Sequence, residues 1–155
     1  MSQLATPTLQ FFADLSVQVD RPQEVGRVFN AQRRVIPILG GEVQGEGWRG
    51  RVLPGGADFQ LIASDTVAQL DARYVIETDA GDRIFVQNRA LRSAPAEITA
   101  KLIRGEPVDP AQVYFRCVPT FETSSQALGW INERIFVGTG ARHPDRVQIR
   151  VFTLL

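Results

Sequence analysis

The sequence predicts an all-β protein, an antiparallel β-barrel of about eight strands with one short helix. Three observations carry that expectation. Apolar residues recur at every second position along much of the chain, which is the period of a half-buried strand. Glycine-rich turns punctuate these runs at short spacing. Only one segment carries the stripe of a helix. An open sheet of eight or nine strands would expose two edges, and closure into a barrel removes both. A two-sheet sandwich is the other architecture that fits the pattern.

The strands follow in order. From Phe11 to Val19, Phe11, Ala13, Leu15, Val17 and Val19 alternate with Phe12, Asp14, Ser16 and Gln18. Arg33–Leu39 is a second extended run, which Gly40-Gly41 turns or bulges. Arg49–Leu53 and Asp58–Ile62 flank the turn Pro54-Gly55-Gly56. Val67–Thr78 alternates most clearly. Leu70, Ala72, Tyr74, Ile76 and Thr78 share one face, and Gln69, Asp71, Arg73, Val75 and Glu77 the other. The turn Ala80-Gly81-Asp82 returns the chain as Arg83–Leu91, giving a hairpin. Val113–Val118, Trp130–Val137 and Arg146–Leu154 complete the strands. The helix is expected over Ala96–Arg104, with Ser93 able to cap it, Pro95 in its first turn, and Gly105 ending it. Ile98, Leu102 and Ile103 form its apolar stripe.

The length of 155 residues suits a single barrel domain over 1–155, with 1–8 as a flexible start. Seventeen basic residues balance seventeen acidic ones, which argues against a nucleic-acid partner. Cys117 is the only cysteine, so neither an internal disulfide nor a CxxC zinc site is available. His143 is the only histidine and lies in the turn-like Arg142-His143-Pro144-Asp145. A histidine-based metal site or a Ser-His-Asp triad is therefore not expected. No uncharged apolar run is long enough to span a membrane, and Met1–Thr8 lacks the features of a signal peptide. The expectation is a cytoplasmic protein with no membrane partner. A homodimer formed through one sheet face is also expected. Ile131, Ile135 and Val137 are its candidate patch, or core if that strand faces the other way.

Several stretches resemble a known family. Arg33-Arg34-Val35-Ile36-Pro37-Ile38-Leu39-Gly40-Gly41 precedes Leu53-Pro54-Gly55-Gly56-Ala57-Asp58-Phe59. Leu70-Asp71-Ala72-Arg73-Tyr74, Phe121-Glu122-Thr123 and Trp130-Ile131-Asn132 follow. In this order they resemble the DUF3237 family, also called UPF0311, from about Phe11 to Leu154. The resemblance implies a β-barrel of the allene-oxide-cyclase-like or calycin-like kind, and says little about chemistry. Four positions depart from the family pattern: Phe59 where a Trp is common, Ala90 where Gly is frequent, and Ala127-Leu128 where a basic residue and a Tyr often stand.

The candidate site residues divide by chemistry. Asp58 leaves the Pro-Gly-Gly turn, where it is either a general base with a raised pKa or a turn cap. Glu122 is the second candidate acid or base. Asp71 and Arg73 share a strand face, as a surface ion pair or as an interior anchor for an oxyanion. Tyr74 faces the other way, so either Arg73 or Tyr74 is structural. Asn88 shares the face of Ile84 and Val86, so it is expected to point inward, as a ligand contact or a buried amide. Trp130, Asn132, Thr123 and Phe59 complete the candidate binding set. Cys117 reads as a small core residue, since no histidine lies near it in the chain.

Such a set needs no cofactor for proton transfer, cyclisation or lyase-type cleavage. The expected function is a cofactor-independent enzyme acting on a small, largely apolar or aromatic molecule inside the barrel. A non-catalytic small-molecule-binding barrel and a solidly packed interaction protein are the rival expectations.

Overall fold

A computed structural model describes residues 3–155. Ten strands form: β1 (Leu9–Val19), β2 (Gln23–Val28), β3 (Ala31–Gly45), β4 (Arg49–Val52), β5 (Ala57–Ile62), β6 (Val67–Thr78), β7 (Arg83–Ser93), β8 (Tyr114–Thr123), β9 (Phe136–Arg142) and β10 (Arg146–Leu154). All pairings are antiparallel. The sheet runs β1-β10-β9-β8-β7-β6 and returns through β4 and β5 to β3, which pairs with β1 and closes the barrel. β4 and β5 occupy a single position, since each lies between β3 and β6 and only the Pro54–Gly56 turn divides them. The result is an eight-strand barrel, with β2 as an outer hairpin partner of β3.

The period-two pattern sets what points inward. β8 alternates exposed and buried residues almost without a break, and Phe115, Cys117 and Phe121 enter the core. β6 and β7 pair in one unbroken register from Val67↔Ser93 to Glu77↔Arg83. That register places Tyr74 beside Val86 and Ala72 beside Asn88 on the inner face.

The two ends of the barrel differ. At one end Phe12, Phe121 and Phe136 pack with ring centroids 4.9–5.4 Å apart. Trp48 and Trp130 each lie 5.6 Å from Phe12 and extend this plug. Phe136 is fully buried there. At the other end converge the end of β1, the starts of β3, β6, β8 and β10, and the ends of β5, β7 and β9. The single helix α1 (Ala96–Ile103) follows β7 and sits at this end. Ile98 and Leu102 pack with Ala94, and Ile103 packs against the barrel core.

Two local expectations need correction, one expected run is longer than read, and one strand was not expected. Trp130–Val137 is not one strand. Gly129–Glu133 is a 3-10 turn, and the strand begins only at Phe136. The 33–39 run is part of a fifteen-residue strand that continues through Gly40-Gly41, both at positive φ. These glycines bend β3 from its contacts with β2 and β5 into its pairing with β1 and β4. Ser93 does not cap α1. Pro95 holds the N-cap position without a side-chain hydrogen bond, and Ser93 ends β7. β2 was not anticipated, because most of its residues are exposed on both faces and it shows no alternation. The expected flexible start, 1–8, falls partly on residues outside the described ones. Thr8 itself exchanges two backbone hydrogen bonds with Leu155, at 2.8 and 3.2 Å.

Candidate functional site

The half of the barrel opposite the aromatic plug is hollow. Its cavity, about 40 Å3, has room for roughly three waters. Apolar side chains from several strands wall it, among them Val17, Ile36, Leu70, Phe115 and Ile149. Against these walls stand Asp58, Gln60, Tyr74, Asn88, Arg92 and Arg142.

Asp58 enters from β5, two residues beyond the Pro-Gly-Gly turn, opposite Ile36 on β3 and Ala72 on β6. Its Oδ2 accepts from Gln60 Nε2 at 2.8 Å, and its Oδ1 accepts from the Asp71 backbone N–H at 3.2 Å. The carboxyl retains some accessible surface because it faces the cavity, yet protein surrounds it. Burial raises its pKa above the ordinary carboxylate value. The Gln60 bond, the Arg92 charge, the Asp71 N–H and the Arg142 charge each pull it down, and together they do not cancel the burial.

Two arginines line the same space and a third stands beside it. Arg92 comes from the end of β7, Arg142 from the end of β9 and Arg34 from β3. Arg92 is 3% exposed, and burial pushes its pKa down to about 10 against the opposing pull of Asp58. Arg142 and Arg34 are also lowered, mainly by burial. Arg34 has a partner in Glu24 on β2, at 3.2 Å, and Arg34 Nη2 donates to the Ile103 carbonyl at 3.4 Å. Arg92 Nε and Arg142 Nη1 are buried without a hydrogen-bond partner. Tyr74 is buried, and its phenol pKa is raised by burial, with further contributions from Cys117 and Asp58. Burial likewise pushes the Cys117 thiol up to about 11, against a hydrogen bond to Asn88.

Asp58, Tyr74 and Asn88 are therefore brought together. The other candidates are not. Arg73 points outward, its side chain 52% exposed, and pairs with Asp71 at 3.1 Å. An anchor role inside the barrel is excluded for it, because the face opposite Tyr74 is solvent. Arg73→Ala is accordingly expected to leave the thermal melt and any ligand affinity at the wild-type level, as a solvent-screened ion pair contributes little. A tenfold loss of affinity would show that Arg73 acts on the cavity after all.

Glu122 is exposed on the outer face of β8, and Phe59 is 39% exposed on β5. Trp130 stands at the plugged end. Asn132 does not share a strand face with it, since both lie in the 3-10 turn. Asn132 instead clamps the end of β8, accepting from the Thr123 N–H and donating to the Thr123 carbonyl, each at 2.8 Å. Thr123 Oγ1 donates to the Arg83 carbonyl at 2.8 Å. These two residues hold a chain crossing away from the cavity.

The sequence reading missed Gln60, Arg92, Arg142 and Arg34. Three of them carried a signal: Arg34 shares the alternating face of Ile36 and Ile38. Arg92 continues the inner face of Ile84, Val86 and Asn88, and Gln60 lies two residues beyond Asp58. Arg142 had none, because Gly138 and Gly140 leave its strand without an apolar face.

Comparison with known proteins places this barrel. The family described as "Protein of unknown function (DUF3237)" matches residues 7–154. The chain belongs to the DUF3237 family. Among its relatives is the UPF0311 protein RPA1785 of Rhodopseudomonas palustris, 45% identical over 152 residues. That match spans 97% of this chain and 99% of the relative. A UPF0311 protein of Clostridium acetobutylicum is 38% identical over 141 residues, covering 90% of this chain and 89% of its own. The crystal structure of RPA1785 superposes with a TM-score of 0.93 over 98% of this chain and all of that one, at 42% identity. A beta-barrel like protein from Acinetobacter baumannii gives 0.87 at 35% identity, with both chains fully covered. An enzyme from Penicillium herquei gives 0.74 at 18% identity over 100% of this chain and 99% of that one. That last likeness shows the shared fold alone. Among the described residues no helix is long and apolar enough to cross a membrane. Nor do three His, Cys, Asp or Glu residues gather there into a metal-binding group.

Proposed function

We propose that this DUF3237 protein is a cofactor-independent enzyme of the acid/base type, acting on a small molecule held in the open half of the barrel. One observation carries the reading: a carboxyl with a raised pKa, Asp58, shares an apolar-walled cavity with buried arginines that have unpaired N–H groups. A carboxyl poised closer to neutrality both takes and returns a proton efficiently. The guanidinium groups of Arg92 and Arg142 supply fixed positive charge where an enolate or alkoxide oxygen would develop. The apolar walls accept the carbon skeleton, and Tyr74, kept neutral by burial, offers a phenolic O–H. Isomerisation, cyclisation and lyase-type cleavage all need only these parts. The same cavity would serve a binding barrel without catalysis, and its small volume suits that second reading equally.

Deuterium exchange separates the two. Pyruvate and acetoacetate, incubated with the protein in D2O, are expected to exchange their acidic C–H protons faster than with buffer alone, as followed by proton NMR. Wild-type protein that binds these acids without accelerating exchange would leave the binding barrel as the function.

A further inference from the structure

Within that cavity four buried polar atoms lack hydrogen-bond partners, and they are of two kinds. Arg92 Nε and Arg142 Nη1 are donors, while Gln60 Oε1 and Asn88 Oδ1 are acceptors. All four residues line the same space. Arg92 is 3% exposed, Gln60 2% and Asn88 7%, so bulk water does not solvate them. Buried groups left unpaired are costly, and orphans gathered round one cavity outline the hydrogen-bonding pattern of whatever fills it.

The Gln60 amide takes its orientation from its neighbour. Gln60 commits its nitrogen to Asp58 Oδ2, which leaves its oxygen free. Asn88 Oδ1 is likewise buried without a partner. The charges point the same way. Arg34 is offset by Glu24 and Arg142 in part by Asp145 outside the cavity, and inside it Arg92 and Arg142 face a single carboxyl, Asp58. The cavity carries surplus positive charge even when Asp58 is ionised. An apolar or neutral occupant would leave that charge unpaired in a low-dielectric space.

We propose that the cavity is a receptor for a small hydroxy- or enol-carboxylate, whose carboxylate accepts from Arg92 and Arg142 and whose hydroxyl donates to Gln60 or Asn88. The occupant must meet both the orphan groups and the surplus charge: a simple carboxylate leaves the acceptors unpaired, and a neutral diol, whose hydroxyls donate and accept, leaves the arginine charge unpaired. The occupant that answers both carries an anionic oxygen pair and an O–H on a short skeleton. A cavity of about 40 Å3 matches molecules of a few heavy atoms. Arg142 also lines an outer groove with Val19, Asp20, Arg34 and Arg104.

This assignment rests on the cavity being the ligand site but does not need catalysis. Calorimetric titration of the full chain with glycolate, acetate and ethylene glycol at matched ionic strength tests it. Glycolate is expected to bind at least tenfold tighter than acetate, and ethylene glycol not at all. In Arg92→Met glycolate binding is expected to vanish. In Asn88→Leu the preference over acetate is expected to shrink, with thermal melts confirming that both variants fold. Equal affinity for glycolate and acetate in the wild type, or no binding of either, would overturn the proposal without recourse to any variant. Retained glycolate affinity in folded Arg92→Met would overturn it too. Accelerated exchange of pyruvate together with no preference for glycolate would refute this ligand class while leaving the acid/base reading standing. Preferred glycolate binding without exchange would do the reverse.

Discussion

Asp58→Asn is expected to lower any proton-transfer activity by about two to four orders of magnitude, the usual contribution of a positioned acid or base. The same variant is expected to be more stable than the wild type once the wild-type carboxyl ionises. The sign follows from the direction of the shift. The folded protein raises the pKa of Asp58, chiefly through burial, so the fold favours the protonated form. Stability linked to such a group is complete below the unfolded-state pKa, about 4. It is lost as pH rises through the folded-state pKa. Asparagine has nearly the same shape and carries no charge at any pH; its one oxygen keeps the Asp71 N–H, and its amide nitrogen donates to Gln60 once that side-chain amide turns its oxygen inward. Melting curves of the two proteins should therefore coincide near pH 4 and separate as pH rises, with the variant higher. A variant that melts lower throughout would show that the Asp58 charge holds Arg92 and Arg142 in place. The group's part in folding would then outweigh the cost of burying it.

Gly41→Ala is expected to destabilise the protein by about 4 kcal/mol, from clash and backbone strain together. Gly41 pairs with Val17 where β3 crosses β1 and closes the barrel. Its φ is +151, and an added Cβ would lie 2.2 Å from the Ser16 carbonyl oxygen and 3.0 Å from the Val17 Cα. These are backbone atoms of a central strand, so no side-chain rotation relieves the contact. Gly55→Ala is the control. Gly55 also has a positive φ, +109, but an added Cβ there meets nothing within 4 Å. Its cost should be the strain alone, about 1 kcal/mol. Denaturant unfolding measures both. A Gly41→Ala loss no larger than that of Gly55→Ala would show that β1 and β3 can separate without opening the barrel.

Both effects arise where the barrel brings distant strands together, and legibility in the sequence follows the same line. Alternation along 67–78 and 83–91 revealed the hairpin, the opposite facing of Arg73 and Tyr74 and the inward placement of Asn88, while the structure decided that Tyr74 is the inward one. Those inferences needed only the geometry of one strand. Asp58 was legible because it leaves a turn, and its neighbourhood was not. Trp130 and Asn132 misled because an aromatic residue and an amide two positions apart match a strand face, whereas Gly129 begins a 3-10 turn there.

By itself, then, the sequence determined the all-β class, the main hairpin, the single short helix and which residues of a strand share a face. Those depend on side-chain period and turn chemistry, which are local. The tertiary structure alone decided which ends meet: that Arg34, Arg92 and Arg142 surround Asp58, and that Trp130 and Thr153 stand at the opposite end. A period of two tells which residues of a strand share a side, but not how far along the barrel a residue lies. That position is set by the register of all the strands together.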